Sequence, residues 1–70
     1  MMLTTTPYTN LENKRTELLN RGFYVSDIRV PEGGYYRMFE ARSDEGIDYE
    51  LIENTHGEVE IYCGLKRVWL

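Results

Sequence analysis

The sequence predicts an α+β domain: an N-terminal helix packed on a three- to four-stranded antiparallel meander sheet, in α-β-β-β-β order. Three observations carry this expectation. Short runs of alternating apolar and polar residues, rich in aromatic and β-branched types, fill the second half of the chain. Ser43-Asp44-Glu45-Gly46 and Asn54-Thr55-His56-Gly57 punctuate those runs as tight turns ending in glycine. A stretch with helix start and stop signals precedes them.

Residues 1–8 are polar, rich in threonine and interrupted by Pro7, and read as a flexible leader; residues 9–70 read as one domain. Thr9 as N-cap with Glu12 three residues on fits a capping box, and Tyr8 is placed for a staple contact. The helix is expected to reach Asn20 or Arg21 and stop at Gly22, a left-handed cap. Leu11, Leu18 and Leu19 make one narrow apolar stripe. So little apolar surface does not sustain a three-turn helix in water, so it must lie on a sheet.

Residues 23–30 read as the first strand, with a flaw. Phe23 and Val25 share one parity, Ile28 and Val30 the other, so either a bulge near Ser26-Asp27 or partial cover on both faces is expected. Pro31-Glu32-Gly33-Gly34 is a turn; it lacks the lysine, the following helix and the spacing of a phosphate-binding loop.

Residues 35–42, 47–53 and 58–63 form the remaining runs. Three-residue loops with glycine in the left-handed position pair Ala41 with Tyr49, Phe39 with Leu51, Leu51 with Ile61 and Tyr49 with Cys63. One face then gathers Phe39, Ala41, Tyr49, Leu51, Val59, Ile61 and Cys63, and the helix is assigned to it. A one-residue slip would turn a strand's apolar set to water. The opposite face carries Glu40, Asp48, Glu50, Glu58 and Glu60, with Met38, Ile52 and Tyr62 among them and Arg42 across from Asp48. Glu40 and Glu50 stand opposed there, a mildly destabilising pair. Residues 64–70 either continue the last strand after a glycine bulge or bend away to cover an edge.

Seventy residues make one domain near the lower limit for independent folding. An apolar share of 41 % marks a folded chain. A single cysteine forms no internal disulfide, no signal peptide is visible and no apolar run is long enough to span a membrane, so a cytoplasmic protein is expected. The net charge of −4 is uneven: residues 1–30 carry four basic and three acidic side chains, residues 31–70 four and nine. An acidic second half disfavours direct nucleic-acid binding, although Lys66, Arg67 and Arg37 with Trp69 and six tyrosines resemble a stacking surface.

No catalytic, metal-binding or cofactor motif stands out. His56 is the only histidine and falls at a turn tip without companion ligands. Cys63 falls on the inward face and reads as a small buried apolar residue, whereas a nucleophile would need a base and an exposed, electropositive position. The pairs Glu58/Glu60 and Asp48/Glu50 put two carboxylates on one strand face, which outside a cleft reads as solvated surface. What remains is an acidic–aromatic sheet face of Tyr36, Met38, Glu40, Glu50, Ile52, Glu60 and Tyr62. The expected function is therefore that of a small non-catalytic protein-binding module, a regulator or inhibitor of the kind found among bacterial and phage accessory proteins. Its partner would be a protein with a basic surface. Two alternatives stand beside it: a homodimeric structural or assembly protein, and a nucleic-acid mimic that occupies a basic groove.

Overall fold

A computed structural model describes residues 7–70, with side chains described from residue 10. One helix, α1 (Pro7–Asn20), precedes five strands: β1 (Tyr24–Val25), β2 (Met38–Arg42), β3 (Asp48–Glu53), β4 (Val59–Cys63) and β5 (Lys66–Val68). They form a single antiparallel sheet in the order β1-β2-β3-β4-β5. This is the expected α+β meander with one strand more than the three to four predicted.

The helix begins earlier than its capping signals suggest. Thr9 lies inside α1 and is not the N-cap, and Pro7 is the first helical residue. Proline at that position needs no N–H partner and has its φ already set for a helix, which outweighs the Thr9/Glu12 pattern. The other leader residues, 1–6, lie outside the described ones. At the far end Phe23 N–H reaches Leu18 O (3.0 Å) and Gly22 N–H reaches Leu19 O (3.1 Å), with Gly22 at φ 95°. That pair of bonds is the Schellman motif, and it satisfies carbonyls the helix end would leave orphaned.

Two turns with the same wiring set the register. Ser43 Oγ accepts the N–H groups of Glu45 (3.2 Å) and Ile47 (3.1 Å). Asn54 Oδ1 likewise accepts those of His56 and Glu58, both at 2.9 Å. Gly46 and Gly57, at φ 85° and 79°, close the loops by donating to the carbonyls of Ser43 and Asn54. The resulting pairs include Phe39↔Leu51, Ala41↔Tyr49, Glu40↔Glu50 and Leu51↔Ile61, as the sequence predicts. Residues 64–70 take the second of the two courses expected of them: they bend away from β4 and cover its edge, as a further strand. Gly64 and Leu65 make a two-residue turn, with φ 66° at Gly64, and the chain returns as β5.

The core lies between α1 and the predicted sheet face: Leu11, Leu18, Phe39, Ala41, Leu51 and Ile61 are buried. Phe23, Val25, Ile28, Tyr49, Val59, Val68 and Leu70 pack around them. Leu11 and Leu18 are two helical turns apart and share one line. Leu19 is rotated out of that line and exposed, so it does not belong to the stripe. Polar ties fix the helix on the sheet: Asn10 Nδ2 donates to Gly57 O (2.7 Å) and Arg15 Nε to Ser26 O (2.7 Å).

That second tie belongs to a bulge between β1 and the isolated bridge Arg29↔Met38, which lies one register step from the pair Val25↔Ala41. Ser26 N–H still bonds Glu40 O (2.8 Å), but the Ser26 carbonyl is turned to Arg15. Ser26 Oγ replaces it as acceptor for Glu40 N–H (2.8 Å). The bulge therefore returns Ile28 to the core side of the sheet. Ser26→Ala is expected to destabilise by about 1–2 kcal/mol, because Glu40 N–H loses its acceptor. Urea denaturation of the two proteins measures it, and equal midpoints would show that the hydroxyl is dispensable.

Candidate functional site

The sheet face turned away from α1 is the candidate site. Register places Tyr24, Arg29, Met38, Glu40, Arg42, Asp48, Glu50, Ile52, Glu60, Tyr62 and Arg67 on it, because residues directly opposite one another share a face. Six of the seven residues singled out from the sequence are thereby brought together. Tyr36 lies outside the strands, exposed, in a groove of about 610 Å³ that Val30, Tyr35, Ile52 and Thr55 also line. Met38 is on the face but only 6 % exposed, with Arg29 and Ile52 opposite it on either side. It underlies the surface and is not itself offered to a partner.

The face is less uniformly acidic than the sequence suggests, because arginines from β1's extension, β2 and β5 cross it. Arg42 grips Asp48 through two bonds, Nε to Oδ1 (2.7 Å) and Nη2 to Oδ2 (3.3 Å), which hold the Asp48 carboxyl below its ordinary range. Arg29 Nη2 stands 3.3 Å from Glu40 Oε2 and offsets the opposition of Glu40 to Glu50. Glu60 accepts from Asn54 Nδ2 (3.1 Å) and Tyr62 O–H (2.9 Å), and Arg67 adds a favourable charge. Together these hold the Glu60 carboxyl below the usual carboxylate range. The bond to Glu60, with partial burial, pushes the Tyr62 phenol up against the opposing charge of Arg67. Glu50 has no ion-pair partner among the described residues. The acidic surplus is therefore centred on Glu50 and, beside Asn54, on Glu58.

Three aromatic or cationic contributors, Tyr24, Arg67 and Trp69, were not assigned to this face from the sequence. Tyr24 is 71 % exposed and, with Ser26, Glu40, Arg42, Asp48, Glu50 and others, lines a shallow depression of about 850 Å³. Trp69 is 78 % exposed, and the Arg67 guanidinium stacks 4.9 Å from the centre of its ring. The Arg67/Trp69 alternation was a visible signal, but without β5 as a strand it had no assigned face. His56 sits exposed in the β3–β4 turn, and Cys63 is a half-buried free thiol. Among the described residues no group of three or more His, Cys, Asp or Glu is placed to hold a metal ion, and no helix is long and apolar enough to cross a membrane. Comparison with protein families, with curated proteins and with solved structures finds no match to this chain.

Proposed function

We propose that this protein is a non-catalytic binding module, a regulator or inhibitor, that engages a protein partner bearing basic groups through the open sheet face. One observation supports this reading most directly: the face without a helix combines an acidic surplus at Glu50 and Glu58 with the exposed rings of Tyr24 and Trp69. Aromatic rings supply contact area, and an acidic centre steers and orients a basic partner. Binding suits the face better than acid–base chemistry, because Glu40, Asp48 and Glu60 are already engaged by Arg29, Arg42, Asn54 and Tyr62.

The test compares tagged wild type with Glu50→Lys and Glu50→Lys/Glu60→Lys. Each captures partners from native lysate, and affinity is then measured for the purified partner. Glu50→Lys is expected to leave stability unchanged or raise it by about 0.2–1 kcal/mol, since it ends the opposition to Glu40. The same substitution should weaken binding about tenfold or more. A partner held equally by all three proteins would overturn the reading.

A further inference from the structure

The two edges of the sheet are unequal. β1 is two residues long, runs into the bulge and is packed by α1. β5 pairs with β4 and with no other strand among those described. Val68 and Leu70 pack on the core while Trp69 is exposed beside Arg67, so the extended alternation continues past Val68.

The pairs Cys63↔Lys66, Tyr62↔Arg67 and Ile61↔Val68 decide which backbone groups face outward. Bonded and non-bonded pairs alternate along an antiparallel ladder, and the pair closing a two-residue turn is bonded. Lys66 and Val68 therefore direct N–H and C=O to β4. Those of Arg67, and by the same alternation Trp69, face solvent.

We propose that a second copy of this chain docks on that edge, β5 against β5, about a two-fold axis through Val68, which doubles the five-stranded sheet. Outward groups must meet outward groups, which restricts the axis to Arg67, Val68 or Trp69. An axis through Arg67 sets two guanidiniums directly opposite, an unfavourable pair. An axis through Trp69 sets the two indole rings opposite one another and leaves no cation opposite a ring. The axis through Val68 gives two bonded pairs, Arg67 with the other copy's Trp69 and the reverse. It also sets each cation beside a second indole ring.

The 4.9 Å stacking of Arg67 on Trp69 within one chain indicates that the two groups attract. Charges on an edge strand ordinarily deter a second strand. Here the charge on Arg67 is the group the other copy's ring would receive. The inference concerns the edge of the sheet and does not depend on what the open face binds. Such an edge contact is small, below about 1,200 Å², so association is weak and appears at high concentration.

Light scattering and residue-resolved amide exchange on the full chain test this between about 10 µM and about 1 mM. The mass should rise from 8.3 kDa towards twice that value. The Arg67 and Trp69 amides should gain protection with concentration, and those of Lys66 and Val68 should not. Trp69→Ala should shift association to concentrations about tenfold higher. Arg67→Pro removes an outward donor without touching the bonds to β4 and should abolish association. A mass constant at 8.3 kDa, or association unchanged in Trp69→Ala with no added protection at Arg67 and Trp69, would overturn the proposal.

Discussion

Phe39→Ala is expected to remove a large part of the domain's stability. Phe39 is fully buried, sits opposite Leu51 in the middle of the sheet and faces α1, where Leu11 and Leu18 are also fully buried. Emptying such a site removes about 3–5 kcal/mol through lost transfer energy and the remaining cavity. A chain of this length has a total stability of only about 4–10 kcal/mol. Urea denaturation followed by far-UV circular dichroism measures the loss, with Leu19→Ala as a surface control expected within about 0.5 kcal/mol of wild type. A cooperative transition for Phe39→Ala matching the control would refute the placement of the core.

The second large effect is expected at Arg37. Its guanidinium donates through Nε to Glu53 Oε1 (3.0 Å) and through Nη2 to Glu53 Oε2 (3.3 Å). Nη1 lies 3.7 Å from Glu12 Oε2 on the helix. The Glu53 side chain is only 11 % exposed. Arg37→Leu therefore strands a largely desolvated carboxylate, a loss of about 2–4 kcal/mol after allowance for the exposure that remains. The sign of the control matters more than the magnitude. Arg37→Leu/Glu53→Leu is expected to recover most of that loss, because removing both charges also removes the stranded one. If Glu53→Leu fails to rescue Arg37→Leu, the pair is not what makes Arg37 important.

The hairpins were legible because two local rules agreed. Gly46 and Gly57 occupy left-handed positions that a three-residue loop requires, and the alternation of Phe39, Ala41, Leu51 and Ile61 permits only one pairing. The bulge at Ser26 was legible for the same reason, as a break in parity. The helix start was not, since Pro7 and the Thr9/Glu12 box are competing signals and sequence offers no means of ranking them. β5 was missed because Gly64 reads equally well as a bulge and as the first residue of a two-residue turn. The electrostatics of the open face were least legible. Arg29 and Arg67 meet Glu40 and Glu60 only across the sheet, and that neighbourhood exists only once all five strands are in place.

The strictly sequential strand order has a kinetic consequence. Each of the last three hairpins closes a loop of two or three residues, so the ladder from β2 to β5 grows by steps that each give up little chain entropy. The helix is different: Leu11 reaches the core beside Ile61, fifty positions along the chain. The transition state is thus expected to resemble the β2–β3–β4 meander, with α1 docking late. Perturbing Gly46 or Gly57 should then slow folding, whereas trimming Leu11 should chiefly hasten unfolding.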